Sequence, residues 1–203
     1  MKTVKDNHKR HEIKFVINNK ERLLFLRNKN LSKIFPDRIV ESIYYDTNDL
    51  HFFHLSEEGI TPRTKVRVRR YDDEEFKSLE IKTTQNHHRE KIVIKNFHNN
   101  DLNLHTNLKK FGINQIVSQK LRVKYLRSYY LLSGVGRITV DRNIEFLNPN
   151  AGFHNSKKIN QIILEVKIQD NQIDKNSIEK VINFREIRFS KYCTGINCLL
   201  KSI

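Results

Sequence analysis

Charged residues alternate with apolar residues in five separate stretches of this chain. The five stretches are Arg10-His-Glu12-Ile-Lys14, Lys65-Val-Arg67-Val-Arg69, Glu80-Ile-Lys82, Arg137-Ile-Thr139-Val-Asp141 and Glu165-Val-Lys167. Because successive side chains of a β-strand point to opposite faces, this spacing predicts several strands that each have a mainly basic face and an apolar face. Helices must then cover the apolar face of the sheet. A face with many cations and few carboxylates is suited to receive a polyanion.

The net charge of +15 makes an anionic partner the first expectation. Nucleic acid, an anionic membrane and phosphate-rich small molecules all fit this charge, and a lysine-rich surface can also serve solubility alone. The alternation argues against solubility alone, because it gathers the cations on one face. Charge by itself does not choose among the anionic partners.

The length of 203 residues fits one large domain or two small ones. No stretch has the composition of a linker, so we predict a single domain over residues 1–203. Residues 1–8 show no periodicity, and we expect them to be disordered. We expect neither a membrane span nor a signal peptide, and therefore a cytoplasmic protein. Cys193 and Cys198 have no zinc-ligand spacing around them, which fits a reducing compartment and argues against a structural metal.

Hydrophobic periodicity predicts roughly eight antiparallel strands with helices between them, an α+β fold whose sheet is strongly curved or closed. The predicted strands are 10–17, 41–47, 64–71, 76–83, 89–95, 121–131, 136–146 and 161–169. The predicted helices are 19–33, 100–111 and 176–184, with a turn of helix at 49–55 and a closing helix after Ser190. The acidic run 72–75 is most simply a solvated hairpin turn, and His87-His88 a solvated hairpin tip; a metal site is the weaker alternative for each.

Taken together, the segments resemble the VTC domain, the catalytic module of the vacuolar transporter chaperone polyphosphate polymerases, within the triphosphate tunnel superfamily related to CYTH proteins. The resemblance covers nearly the whole chain, in order. The motifs that carry it are Arg10-x-Glu12-x-Lys14-Phe, Tyr45-Asp46-Thr47, Lys65-x-Arg67-x-Arg69-x-Tyr71, Glu80-x-Lys82, Tyr125-x-Arg127, Arg137-x-Thr-x-Asp141, Leu164-Glu165-x-Lys167 and Arg188-Phe-Ser190-Lys191-Tyr192. Any one alternating motif is weak, since an Arg-x-Arg strand is more often a solvated face, but the full set in the family's order is strong.

The resemblance implies a closed antiparallel β-barrel of about eight strands with flanking helices, whose interior is a basic tunnel for a triphosphate unit or a polyphosphate chain. The implied catalytic residues are Arg67, Arg69, Lys82, Arg127, Arg137, Lys167 and Lys191. The implied phosphate-binding residues are Arg10, Lys14, Lys91, Tyr125, Arg188 and Ser190. Arg89 competes with Lys91 for its role, because both lie on the predicted inward face.

The resemblance also implies that Glu165 holds Mn²⁺ or Mg²⁺ beside the triphosphate. The alternative for Glu165 is a plain ion pair with Lys167 or Arg137. We expect Glu12, Glu80 and Asp141 to be pairing partners that keep neighbouring cations oriented.

The chemistry of phosphoryl transfer calls for these residue types independently of the family resemblance. Its transition state is stabilised mainly by cations and hydrogen-bond donors around the equatorial oxygens. Arginine binds two oxygens at once through its planar fork, whereas lysine acts as a movable point charge. The leading hypothesis is a metal-dependent polyphosphate polymerase that uses ATP and inorganic polyphosphate. A triphosphatase of the same fold and a non-catalytic module that binds polyphosphate or nucleic acid are the alternatives.

The sequence differs from eukaryotic members of the family in two respects. It shows neither their SPX-type regulatory region nor their membrane helices, so it resembles the catalytic module standing alone. Coupling to a membrane would need a separate partner protein. We expect no specific nucleic-acid partner. The first strand begins Arg10-x-Glu12-x-Lys14 rather than with the Glu-x-Glu-x-Lys start typical of CYTH triphosphatases, which favours the polymerase.

Overall fold

An antiparallel sheet of ten strands organises the part of the chain that the computed structural model describes, which is residues 3–6, 10–75, 77–86, 88–98, 101–150, 156–169, 178 and 182–201. The strands are β1 Thr3–Asp6, β2 Arg10–Ile17, β3 Leu31–Asp46, β4 Arg63–Tyr71, β5 Lys77–Gln85, β6 His88–Phe97, β7 Ser118–Leu132, β8 Gly136–Leu147, β9 Ser156–Ile159 and β10 Ile162–Gln169. The helices are α1 Asn19–Leu26, α2 His51–Glu58, α3 Asp101–Lys110 and α4 Lys191–Leu200.

The sheet is curled but not closed. Its hydrogen-bonded order is β1-β6-β5-β4-β3-β7-β8-β10-β2, with β9 paired to β8. The expected closed barrel of about eight strands is therefore not confirmed: the described strands number ten, and the order ends on two unpaired edges. The two halves nevertheless meet through side chains, since Lys82 Nζ on β5 lies 3.8 Å from the Glu12 carboxylate on β2.

Three apolar clusters hold the sheet and helices together. One lies on the outer face of β2, β8 and β10, against α1. A second lies on the outer face of β4, β5 and β6, against α2 and α3. The third lies between α4 and the concave face of β3, β7, β8 and β10. A Cβ atom at Gly195 of α4 would come within 2.5 Å of Leu121 and 2.7 Å of Phe146, so glycine allows this helix to sit directly on the sheet.

Asp46 joins the end of β3 to α2 and α4. Its carboxylate is fully buried and accepts the backbone N–H of Phe52 at 2.9 Å and of Phe53 at 2.8 Å, in the first turn of α2. Tyr192 of α4 donates its hydroxyl to the same carboxylate. These bonds satisfy helix N–H groups that have no partner within the helix. The Tyr-Asp-Thr motif therefore serves the fold directly.

Several element predictions are corrected by the structure. The helix predicted over 19–33 ends at Leu26, because the chain turns at Asn28–Asn30 and Leu31 already pairs with Leu132 on β7. Thr3–Asp6 form an edge strand on β6 rather than a disordered end. The sequence reading also missed β9. Most of the helix predicted over 176–184, including its cap, lies outside the described residues.

Two further predictions concern exposed turns, and a third concerns membrane-spanning helices. The run 72–75 links β4 to β5 and is exposed, as predicted for a hairpin turn. His88 is exposed at the start of β6, and His87 lies outside the described residues. Across the described part of the chain, no helix is long and apolar enough to cross a membrane.

Replacing Asp46 by alanine should destabilise the protein by about 2–4 kcal/mol, because the change removes the cap of α2 and leaves the buried Tyr192 hydroxyl unpaired. Urea unfolding followed by circular dichroism measures the change. The matched control is Asp73→Ala in the exposed turn, which should alter the free energy of unfolding by less than about 0.5 kcal/mol. Equal effects of the two substitutions would contradict the role of Asp46.

Candidate functional site

Antiparallel register places polar and charged side chains of neighbouring strands side by side on the concave face. Across β4, β5 and β6 the rows are Arg63–Thr84–Arg89, Lys65–Lys82–Lys91 and Arg67–Glu80–Val93. Across β8, β10 and β2 the rows are Thr139–Glu165–Lys14 and Arg137–Lys167–Glu12. The alternation within each strand thus becomes rows of charge across the sheet, as the sequence predicted.

These rows line a cavity of about 410 Å³, which we call the basic trough. Its cations are Lys14, Lys65, Arg67, Arg69, Lys82, Arg89, Lys91, Arg127, Arg137, Lys167 and Lys191. Its carboxylates are Glu12, Glu80, Glu90 and Glu165, and its wall is completed by Tyr44, Tyr71, Thr83, Thr84, Tyr125, Tyr129, Thr139, Phe189 and Ser190. Eleven cations against four carboxylates give the trough a positive potential that attracts anions.

The structure brings most of the predicted site residues together in this trough. Of the fourteen predicted residues, Arg10 and Arg188 are the two that do not appear in its wall. The side chain of Arg10 lies outside the described residues. Arg188 instead donates to the backbone carbonyl of Ser56 near the end of α2, where cations satisfy unpaired helix carbonyls. The sequence did not lead us to assign Lys65 or Tyr44 to the site, although Lys65 shares the alternation of Arg67. Arg89 was expected only as an alternative to Lys91, and both line the trough.

Glu80 anchors three cations of the trough. Arg67 Nε donates to its carboxylate at 2.8 Å, Lys91 Nζ lies at 3.1 Å and Arg69 Nη1 at 3.8 Å. Burial would raise the pKa of Glu80, but Arg67, Arg69 and Lys91 outweigh it and hold this pKa well below its usual range. Glu80 therefore stays ionised and orients its neighbours, which is the pairing role predicted for it.

Asp141 plays the same part on the opposite wall. Its fully buried carboxylate accepts Arg127 Nε at 2.6 Å and Nη2 at 2.7 Å, a two-bond arginine–carboxylate pair. Lys191 Nζ bonds to the same carboxylate at 2.5 Å and lies 4.7 Å above the ring of Tyr125. Because one carboxylate holds both cations, their positions are fixed before any ligand arrives.

The N-terminus of α4 closes part of the trough. Ser190 caps this helix, and its hydroxyl oxygen lies 2.9 Å from Lys65 Nζ. Lys14 Nζ donates to the carbonyl of Phe189 at 3.0 Å. Both lysines thus bond to neutral oxygens here, so these bonds leave their positive charges available to an anion.

Tyr44 supports Arg67 from below the trough. Its hydroxyl accepts Arg67 Nη1 at 3.0 Å, and its ring stacks on Tyr192 at 5.0 Å between centroids. Arg67 is therefore held by Glu80 on one side and by Tyr44 on the other. Tyr192 in turn bonds to Asp46, which ties this arginine to the core of the fold.

Glu165 and Glu12 are the carboxylates best placed for a divalent cation. Lys167 Nζ lies 3.3 Å from Glu165 and 3.5 Å from Glu12, so the ion pair expected as an alternative for Glu165 is present. Burial would raise the pKa of Glu165, but Lys167, Lys14 and Arg127 hold it well below its usual range. Within the described ranges, no three or more His, Cys, Asp or Glu side chains group together as metal ligands. Two carboxylates suit Mg²⁺ or Mn²⁺ provided that phosphate and water complete the coordination.

The chain matches one protein family by sequence and several solved structures by fold. The sequence model of the VTC domain matches residues 2–200. A search of curated proteins finds no match. A putative adenylate cyclase from Bacillus halodurans is similar with a TM-score of 0.55 at 9% identity, covering 92% of this chain and 95% of that one.

Two further solved structures have the same fold. A protein from Pyrococcus horikoshii has a TM-score of 0.53 at 15% identity, covering 95% of this chain and 96% of its own. A putative adenylyl cyclase from Hippeastrum, described as having a dominant triphosphatase activity, has a TM-score of 0.52 at 13% identity, covering 92% and 94%. At these sequence identities the structural similarity establishes the triphosphate tunnel fold. It does not establish the activity, which has to be argued from the residues of the site.

Two groups in the trough titrate near pH 8. Desolvation lowers the pKa of Lys82 to about 8, with Glu12 opposing part of the shift. Burial would raise the pKa of Tyr44, but Arg67 and Arg69 outweigh it and lower this pKa to about 8. Raising the pH through this range therefore removes a positive charge and creates a negative one on the same surface.

We expect affinity for inorganic triphosphate to fall about tenfold or more as the pH rises above about 8, because a charge-assisted bond is worth roughly 1.5–3 kcal/mol. The free energy of unfolding of the ligand-free protein should instead rise with pH. Between pH 8 and 10 the unfolded chain still holds both protons and so binds more of them than the folded protein, which makes the free energy of unfolding rise. Calorimetric titrations and urea unfolding at stepped pH measure the two quantities. A variant with Lys82→Arg and Tyr44→Phe should flatten both profiles, and unchanged profiles in it would contradict the assignment.

Proposed function

This chain belongs to the VTC domain family, and from that premise we propose that it is a metal-dependent polyphosphate polymerase, which transfers the terminal phosphate of ATP onto a growing inorganic polyphosphate chain. The observation that carries the proposal is the wall of eleven cations, contributed by strands on both sides of one cavity and by the start of α4. A double helix is too wide for such a cavity, whereas a single phosphate chain has phosphate oxygens on all sides to meet the wall.

The proposed reaction breaks the bond between the β- and γ-phosphates of ATP and forms a bond from the γ-phosphorus to a terminal oxygen of the polyphosphate chain. ADP leaves with the bridging oxygen. Charge spreads over the equatorial oxygens of the transferred group in the transition state, and donors fixed around that group stabilise it. The protein's part is mainly positioning, so side chains held rigidly before binding are an advantage.

The roles proposed for the residues follow from how each is held. Arg67, Arg69 and Arg127 are locked by hydrogen bonds to Glu80, Ser42 and Asp141. We assign them to fixed phosphate positions along the trough. The lysines bond to neutral oxygens or to carboxylates, and as flexible point charges they follow the chain as it moves. The residues assigned to phosphate binding on this basis are Lys14, Lys65, Lys82, Lys91, Arg137, Lys167, Ser190 and Lys191, with Tyr125 positioning Arg69 at 3.2 Å.

Glu165, with Glu12 beside it, is the proposed holder of Mn²⁺ or Mg²⁺. When bound there, such an ion would neutralise charge on the phosphate oxygens. On this proposal Lys167, which bridges the two carboxylates at 3.3 and 3.5 Å, keeps them together when no phosphate is bound.

A triphosphatase of the same fold is the second candidate. In that reaction water replaces the end of the chain as acceptor, and the same cations would serve both reactions. The Hippeastrum protein, which has the same fold and is described as having a dominant triphosphatase activity, supports this candidate. Incubating the pure protein with ATP and Mn²⁺ and running the products on a gel separates the two. Long phosphate chains support the polymerase, and free phosphate without chains supports the hydrolase.

Replacing Glu165 by glutamine should lower turnover at least a hundredfold while polyphosphate binding persists or tightens, because the change keeps the size of the side chain and removes a negative charge. Arg67→Ala should instead weaken both binding and turnover, since it removes charge-assisted bonds to the chain itself. Steady-state kinetics and calorimetry measure the two effects.

The matched control for Glu165→Gln is Glu145→Gln, which neutralises a glutamate that does not line the trough and should leave both quantities unchanged. Near-normal metal-dependent activity in Glu165→Gln would show that Glu165 is only an ion-pair partner of Lys167.

A further inference from the structure

A second cavity, of about 260 Å³, lies outside the basic trough at the C-terminal end of α4. Its apolar wall consists of Leu50, which precedes α2, and of Ile196, Leu199 and Leu200 on α4. Side-chain amides and two lysines complete the wall. None of these residues lines the basic trough, so the two cavities are separate. We call this second cavity the α4 pocket.

Lys120 reaches the α4 pocket from a β-bulge. The residues on either side of Lys120 in β7 pair with Tyr44 and Tyr45, which are consecutive in β3, so Lys120 is the extra residue of the bulge. Bulges redirect side chains in this way. Lys120 Nζ donates to Asn48 Oδ1 at 2.8 Å. Because this partner is neutral, the positive charge of Lys120 stays available to an anion.

Lys157 reaches the α4 pocket from β9. It pairs with Phe146 of β8, which lies on the face that α4 covers, since a Cβ atom at Gly195 would come within 2.7 Å of its ring. The next residue, Lys158, belongs to the opposite face, and its Nζ lies 4.0 Å from Glu145 Oε1. Among the residues that the structure describes, no carboxylate pairs with Lys157. Its charge is therefore also available to a ligand.

The described wall of the α4 pocket contains two cations and no carboxylate. The nearest acid along the chain is Asp49, between Asn48 and Leu50, and it is exposed and hydrogen-bonds to Thr47 instead. A cavity that offers positive charge and an aliphatic wall complements an anion that carries an apolar body.

The lining also narrows the class of anion. A phosphate chain would leave the aliphatic wall unused, and the basic trough offers it eleven cations against two here. A flat ring would find no aromatic side chain to stack on in the described wall of the α4 pocket. An aliphatic chain instead removes its own surface and that of the leucines from water. The volume lies below the roughly 300–1,000 Å³ of sites for drug-sized ligands, so the chain must be short.

We propose that the α4 pocket binds the anion of a medium-chain fatty acid. The aliphatic chain packs against Leu50 and the apolar side chains at the end of α4, and the carboxylate accepts hydrogen bonds from Lys120 and Lys157. The site shares no residue with the basic trough. The proposal therefore holds whichever reaction the trough performs.

Three probe compounds separate the two parts of the ligand. Octanoate has the chain and the charge, octanol has the chain alone, and butyrate has the charge with a shorter chain. Octanoate should bind wild-type protein at millimolar concentration or below, and the other two at least tenfold more weakly, because each lacks part of the contact. NMR titration measures each dissociation constant. No binding of octanoate, or equally tight binding of octanol or butyrate, would overturn the proposal.

Substitutions of lysine locate the carboxylate. The double variant Lys120→Gln with Lys157→Gln should weaken octanoate binding about tenfold or more, since it removes both charge-assisted bonds. The matched control, Lys158→Gln, neutralises the neighbouring lysine on the opposite face of β9 and should leave the dissociation constant within twofold. Lys82→Gln, which removes a cation of the basic trough, should also leave it within twofold. Weakening by Lys82→Gln that equals or exceeds that of the double variant would place the anion in the trough and contradict the proposal.

A substitution of leucine locates the aliphatic chain. Leu200→Ala removes part of the apolar wall at a position that is 49% exposed, and it should weaken octanoate binding about threefold or more. The matched control is Leu102→Ala on α3, where the leucine is 82% exposed and does not line the α4 pocket, and it should have no effect. Equal effects of the two substitutions would show that the chain lies elsewhere. Circular dichroism and unfolding midpoints of every variant confirm that folded proteins are being compared.

Discussion

Repulsion among cations on one concave face is the constraint around which the trough is built. Two unit charges 4 Å apart interact by about 4 kcal/mol at an effective dielectric constant near 20. Eleven cationic side chains share a cavity of about 410 Å³, so the empty protein must offset many such contacts. Buried carboxylates do this: Glu80 at 4% exposure and Asp141 at 0% each contact two or more cations. Glu165 at 8% exposure pairs with Lys167 at 3.3 Å, and Lys14 and Arg127 help to keep its pKa low.

The way these carboxylates are shared divides the cations into two kinds. Arg67 and Arg127 give two N–H groups each to a buried carboxylate and are fixed in direction. Lys14 and Lys65 bond to neutral oxygens and keep their charge for a ligand. Rigid arginines define positions for phosphate groups, and movable lysines let the anion shift between them. A site that must both hold a chain and let it advance needs both kinds.

The fixed direction of Arg67 depends on the core of the protein as well as on Glu80. Tyr44 accepts its third N–H, stacks on Tyr192, and through Tyr192 reaches the carboxylate of Asp46 at the start of α2. The same helix that carries Tyr192 carries Lys191 into the trough and rests on the sheet through Gly195. The packing of α4 and the geometry of the site are therefore coupled, so a change in the core would displace charged side chains in the trough.

Alternation in the sequence was enough to predict which side chains share a face, because that depends only on the period of a strand. It placed Glu165 and Lys167 opposite Ile162 and Leu164 correctly, and with the motif order it identified nine of the eleven cations of the trough. It could not show that Lys14 neighbours Glu165, or that Arg127 binds Asp141, since register is set by pairing between distant strands.

Tertiary structure alone decided two further points. The sheet stays open between its edge strands β1 and β2 in the described residues, because closure depends on the curl accumulated over all the strands. Arg188 points towards the carbonyls of α2 rather than into the trough. It lies in the loop before α4, where side chains do not follow the alternation of a strand, so their direction depends on tertiary packing. Sequence fixes which residues alternate along a strand, whereas packing of distant strands fixes which charges must balance one another.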